Sequence, residues 1–415
     1  MSQKTGQELY EERSKLLDDA LCLRETDRVP NGVRVNYFPF YEYGVSIADS
    51  MKDYDRAIDA YMRYHREFQP DIGCSISAQF SSKVLELFGV KCLRWPGDPK
   101  GLDENAPLQY VEYATLMEDE YDEFFNDPAG FAWRKWLPRV FEVFEPFAKI
   151  DYPAAITGSY NAVPNIFMAP ELLESYRKIL DAAEEQQRFF AACGRCSAML
   201  KEEGFPSLCG GGSATAFDML GDGLRGTFGM MPDLLEQPEN VKHACEMFVK
   251  IHIAQSIESY KRTGNRYQWV MLHKGFDNFI GDNTYAEFYW PYLRQWIMAL
   301  IDEGIVPVVF CEGAYNTRLK YLADVPKGKV IYLFEDIDIR LAKKTLGGIA
   351  CIMGGFPEFT VSHGTKEQIR DKVREYMDVL APGGGFIFSL SSSLDLCPRE
   401  NVEALFEAIE LYGKK

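Results

Sequence analysis

The fold class this sequence predicts is an α/β barrel, and three observations carry the prediction. From about residue 268 short apolar runs alternate with helical stretches in five consecutive β-α steps joined by short connections. That rhythm favours a parallel barrel over an open sheet or a sandwich. Two of the runs, Val306-Pro-Val-Val-Phe-Cys311 and Gly348-Ile-Ala-Cys351-Ile-Met353, read as buried parallel strands. Each is followed by a glycine turn, Glu312-Gly313 and Gly354-Gly355, and barrel chemistry sits at the carboxyl ends of the strands.

The elements follow in order. Residues 1–30 are charged and helical in pattern, with Leu9, Leu16, Leu17 and Leu21 as the apolar positions, and end at Arg28-Val-Pro30. A mixed aromatic and acidic segment continues to about residue 150, with a helical run at 118–125 and a boundary at Asp127-Pro128. Residues 164–204 read as a helical hairpin, followed by a Gly-rich turn at 208–213. Strands are then expected at 268–273, 306–311, 329–334, 349–353 and 385–390. The helices between and after them are expected at 285–301, 316–322, 338–346, 366–380 and 401–412. Length alone leaves one barrel with additions as plausible as two domains.

Composition narrows the function. A chain of 415 residues, 47% of them hydrophobic, can bury a large core. No apolar stretch approaches the ~20 residues of a membrane span, and Met1-Ser-Gln-Lys-Thr-Gly-Gln-Glu8 has no apolar signal core. A soluble, cytoplasmic-type globular protein is expected, its ten cysteines reduced thiols with a few open to metal ligation. The formal charge of −17 argues against nucleic acid and anionic membranes as partners.

Cys311 and Cys351, with 39 residues between them, are two thiolate candidates expected at one cavity mouth, a place for zinc. A catalytic zinc needs a third protein ligand and an open position; Asp282, His273, Asp277 and Glu312 are the candidates. The plainer reading is that both cysteines are small core residues. Cys193-Gly-Arg-Cys196 lies in a helical run, which argues against redox use. Gly210-Gly-Gly-Ser213 lacks the Lys-Ser/Thr of a phosphate loop.

Several phrases resemble the uroporphyrinogen decarboxylase superfamily: Phe288-Tyr-Trp-Pro291, Phe310-Cys-Glu-Gly-Ala-Tyr-Asn-Thr-Arg-Leu319, Met353-Gly-Gly-Phe-Pro357, His363-Gly-Thr365 and Ala381-Pro-Gly-Gly-Gly-Phe386. The resemblance implies a single domain over 1–415, a (β/α)8 TIM barrel with an elaborated helical amino-terminal region, in which 1–150 supplies added helices and the first barrel elements and 205–415 the regular β/α units. The decarboxylases proper carry an Arg-Gln-Ala-Gly-Arg segment for tetrapyrrole carboxylates; here the corresponding stretch is Val33-Arg-Val-Asn-Tyr-Phe-Pro-Phe40. The other branch comprises zinc-dependent, corrinoid-linked methyltransferases of anaerobes. Its thiol-methylating members use His-X-Cys and Pro-Gly-Cys-Gly, where this chain has Val309-Phe-Cys311 and Pro382-Gly-Gly-Gly385.

The ether-demethylating type is therefore the implied relative. It would use Zn2+ on Cys311, Cys351 and Asp282, a small aromatic methyl ether as substrate, and a partner protein whose corrinoid (cobalamin) accepts the methyl group. Glu312, Tyr315 and Asp277 are the expected catalytic groups; His273, Arg318 and Phe279 the expected substrate contacts. A homodimer is compatible with this reading. The alternatives are a metal-free decarboxylase centred on Asp277 or Arg318, a methylcobamide:thiol methyltransferase, and a non-catalytic barrel that carries a corrinoid or tetrapyrrole.

Overall fold

The computed structural model describes residues 4–99, 101–161 and 163–414. Its centre is a parallel sheet of six strands in sequential order: β1 Gly211–Ala214, β2 Tyr267–Leu272, β3 Val306–Ala314, β4 Ile331–Asp336, β5 Cys351–Gly354 and β6 Phe386–Ile387. The five expected carboxyl-terminal strands are thus parallel neighbours.

Two extended segments from the amino-terminal half close the ring. Asn31 bridges Phe388 in parallel, the Gly32 amide donates to the Phe388 carbonyl at 2.7 Å, and the Phe388 amide to Pro30 at 2.9 Å. On the other side the Asp71 amide donates to the Asn31 carbonyl and the Gly73 amide to the Pro206 carbonyl, each at 2.8 Å. Residues 29–36 and 71–75 are therefore barrel staves as well as connections. They read poorly as strands because most of their length is held by single bridges, not by a continuous ladder.

Side chains alternate across the strands. Val306, Val308 and Phe310 of β3, Ile331 and Leu333 of β4, Cys351 and Met353 of β5 and Ile387 of β6 fill the barrel interior. Val309 and Cys311 point the other way, into the layer shared with the helices. The amino end of the barrel is plugged by α1 (Gly6–Leu21), which starts at a capping box between Thr5 and Glu8 and inserts Leu17, Ala20 and Leu21 into the interior cluster. The open end is therefore the carboxyl one. At Gly354 the chain takes φ +79°, and a Cβ there would lie 2.5 Å from a Leu333 methyl carbon, so only glycine lets β5 turn off the barrel.

Two expectations need correction. The stretch read as a helical hairpin is one helix, α2, Pro170–Glu202, because Gly194 is its only internal glycine and has open space around it. The helix expected at 285–301 is a π-turn, Tyr285–Tyr289, followed by Trp290–Asp302. Pro291 follows the π-turn inside one helical run that begins at Asp282, and the wider turn is the kink expected where a proline interrupts the i to i−4 ladder. Among the described residues no helix is long and apolar enough to cross a membrane.

Candidate active site

The carboxyl end of the barrel gathers ionisable side chains on the inward face of three successive staves, with a fourth from the 29–36 stave. Register places Met271 on the same face as Phe310. Two residues further along, His273 and Glu312 rise above them, and Glu335 follows Leu333 in the same way. Below lies Arg34, whose guanidinium carbon stands 4.8 Å from the Phe310 ring centroid and 5.1 Å from that of Trp269. Met271 retains 37% exposure at the level between.

His273 is fixed from behind by two aspartates. Thr215 caps the helix Ala216–Leu220 that follows β1, and its hydroxyl donates to Asp218 Oδ2 at 2.9 Å. The fully buried Asp218 carboxylate also accepts the backbone amides of His273 (3.0 Å) and Lys274 (2.9 Å) and the Tyr289 hydroxyl (2.7 Å). Burial pushes its carboxyl above the usual range. Next comes a π-turn, Gly221–Arg225, a form of extra residue that is frequent at functional sites. It carries Asp222, whose Oδ2 lies 2.5 Å from His273 Nδ1 and whose Oδ1 lies 2.8 Å from Lys274 Nζ. Lys274 in turn reaches Glu112 at 2.9 Å and Thr227 at 2.8 Å.

Electrostatics follow from this placement. The hydrogen bond that His273 Nδ1–H donates to Asp222, opposed by burial and assisted by Glu312 and Asp218, raises His273 to about 9. Glu312 is raised by burial, with His273 opposing. Arg34 is lowered to about 10 by burial. It keeps some contact with the open mouth, but its Nε is buried with no hydrogen-bond partner. It forms no ion pair among the described residues.

The raised His273 has a stability consequence. Protonation is favoured in the folded state, so its contribution is fully present below pH 6.5, the ordinary imidazole value, and is lost as pH rises through about 9. The melting-temperature difference between wild type and His273→Gln should therefore shrink between pH 6.5 and 9. A difference that stays constant over that window contradicts the assignment.

The expected zinc set does not converge. Cys311 is level with Leu272 and Phe334, whereas Cys351 is level with Ile331 and Val308, three residues lower. At strand rise that is roughly 10 Å along the barrel. The two thiols also face opposite sides of the sheet, Cys311 toward the helices and Cys351 toward the interior floor. Strand-end position alone could not reveal this, because successive residues alternate faces. Asp282 is on the outer surface, held by Lys320 at 2.8 Å and near Arg318 at 3.3 Å. Among the described residues no three His, Cys, Asp or Glu side chains are grouped to hold a metal. Both cysteines are 0% exposed core residues. Cys311→Ala and Cys351→Ala should each lower the unfolding free energy by about 1 kcal/mol in urea titrations and leave ligand binding at the mouth intact.

Of the other expected site residues, Glu312 and His273 do meet, with Nε2 to Oε2 at 3.8 Å. Phe279 stands at the rim, 5.6 Å from Lys274 Nζ. Tyr315 is buried behind β2, its hydroxyl approaching the Leu272 carbonyl at 3.5 Å. Asp277 accepts from the Thr317 hydroxyl at 2.7 Å and amide at 3.1 Å, organising a turn. Arg318 is 1% exposed, bonded to the Gly275 and Ile280 carbonyls, and braces that same loop. Sequence reasoning missed Arg34, Asp218 and Asp222. Arg34 had a signal: a lone charge inside the apolar run Val33-Arg-Val35.

Comparison with known proteins accords with this architecture. No curated protein matches the chain by sequence. A methyltransferase from Methanosarcina mazei is similar in structure over 99% of this chain and 99% of its own, with a TM-score of 0.59 and 14% sequence identity. At that identity the likeness speaks for the fold. The family model for uroporphyrinogen decarboxylase (URO-D) matches residues 152–412, more than half of the sequence and the whole of the six-stranded sheet. This chain belongs to the uroporphyrinogen decarboxylase family.

Proposed function

We propose that this protein is a methyltransferase that takes the methyl group of a phenyl methyl ether and passes it to the Co(I) corrinoid of a partner protein. The observation that carries the reading is Arg34, an unpaired cation laid across two aromatic rings at the floor of an open mouth, beneath a paired histidine and glutamate. A flat ring with an anionic substituent matches that floor. Its carboxylate would meet the guanidinium, and charge-assisted bonds of this kind are roughly twice as strong as neutral ones. The ether oxygen would then rise toward His273 and Glu312. The methyl acceptor must approach from the same open end, since α1 plugs the other. Structural similarity to a methyltransferase over nearly the whole chain supports the same reading.

The test is spectroscopic. A panel of methoxybenzoates and neutral methoxyarenes is offered with a Co(I) corrinoid protein, and the Co(I) absorbance and released phenol are followed. Methoxybenzoates should react and their neutral counterparts lag. A second reading, metal-free decarboxylation of a small carboxylate, draws on the same Arg34, though not on Asp277 or Arg318, which are used in bracing the loop. Release of CO2 with no change at cobalt would favour it.

A further inference from the structure

Resting on that methyl-transfer reading, we infer that His273 is the proton donor to the departing oxygen and that this chain performs the step without a bound metal. In ether cleavage the methyl–oxygen bond breaks with its electron pair going to oxygen. The methyl carbon bonds to the acceptor through the electron pair of Co(I), and the oxygen needs a cation or a proton to take up its charge. A Lewis-acid metal is one way to supply it. The donor set here argues for the other.

A tetrahedral zinc between an imidazole and a carboxylate would hold the two donor atoms about 3.4 Å apart and would need a third protein ligand. His273 Nε2 and Glu312 Oε2 stand 3.8 Å apart. Both cysteines are turned elsewhere. An oxygen set about 2.8 Å from each atom does fit the gap. Meanwhile the imidazole is arranged as an acid. Asp222 takes Nδ1 at 2.5 Å, which leaves Nε2 as the nitrogen facing the mouth. Asp218 holds the His273 backbone amide, so the ring cannot drift along the strand.

The charges around it come from every side. Asp222 and Asp218 lie behind it, Lys274 beside it is neutralised by Asp222 and Glu112, and Glu312 faces it from β3. Glu335 follows from β4, with Arg34 below Glu312. Among the described residues around it carboxylates outnumber unpaired cations, so the imidazolium is retained at neutral pH. A donor near 9 is close to an ordinary phenol of ~10, which suits proton transfer as the bond breaks. Once spent, the donor regains its proton from solvent through the open mouth.

Three measurements on the full chain decide the matter. Protein produced in zinc-supplemented medium should hold far less than one zinc per chain. Nitrogen-15 NMR of labelled histidines should show one of the five imidazoles titrating near 9, absent in His273→Gln and shifted toward 6.5 in Asp222→Asn. Turnover of the reacting methyl ether should fall by about 10²- to 10⁴-fold in His273→Gln and decline in the wild type as pH rises through 9. Stoichiometric zinc that is lost with His273→Gln or Glu312→Gln would overturn the proposal, as would a His273 that titrates near 6.5. Wild-type turnover that His273→Gln leaves unchanged sinks this proposal alone. Failure of every methyl ether with wild type sinks the methyl-transfer reading and this proposal together.

Discussion

Arg34→Met is expected to strengthen the fold while removing its affinity for anions. The guanidinium sits against Trp269 and Phe310 with a buried Nε that bonds to nothing. A charge held this way is a standing penalty on the empty protein, visible in the downward shift of its pKa to about 10. A methionine of similar length keeps the packing over both rings and removes the uncompensated charge; by analogy with buried ionic groups replaced by apolar ones, the gain is about 1–4 kcal/mol. The partial opening of the mouth puts the expectation at the lower end. Binding moves the other way. Losing one partner of a desolvated charge pair costs about 2–5 kcal/mol, so a benzoate-type ligand should weaken by roughly 30-fold or more. Urea unfolding and a fluorescence titration, with Trp269→Phe as the control for the reporting ring, measure the two effects on one pair of proteins. A variant that is less stable and binds benzoate as well as the wild type would show that Arg34 is structural.

Asp218→Ala should be the most damaging single change at the site. The carboxylate is 0% exposed and accepts from Thr215, Tyr289 and the backbone amides of His273 and Lys274. Alanine leaves a cavity and orphans several buried donors, at about 1–3 kcal/mol each. A total of roughly 3–5 kcal/mol is a large share of the 5–15 kcal/mol that usually separates folded from unfolded chains. Asp218→Asn retains one oxygen acceptor and the shape, so it should cost less and still fold. Its signature would be local: a displaced His273 resonance with near-normal thermal unfolding. Equally small losses for the two variants in urea would mean that neither the four hydrogen bonds nor the filled volume contributes much.

How much of this was legible in the sequence depends on which physical signal each feature leaves. The strands at 306–311 and 329–334 were readable because both faces of a barrel stave are buried, which leaves an unbroken apolar run. The staves at 29–36 and 71–75 were not, since they carry Asn31, Arg34, Asp71 and Gly73 and are held by isolated bridges. His273 and Glu312 could be located because they close recognisable strands. Their partners Asp218 and Asp222 belong to a short helix and a π-turn, whose one-residue insertion shifts every later side chain around the axis.

The sequence by itself determined the parallel barrel and the order of its carboxyl-terminal strands. These depend on hydrophobic periodicity and on chain direction, both of which are local and written residue by residue. Only the tertiary structure decided which strand-end side chains meet. Cys311 and Cys351 have matching local settings, yet one residue of phase turns the first to the helices and three residues of register set the second at the floor. Arg34 and His273 are 239 positions apart in the chain and reach the same end of the barrel because the ring closes between them. Face and height in a closed barrel are set by the pleat and by the stagger of neighbouring strands, and neither is a property of any one segment.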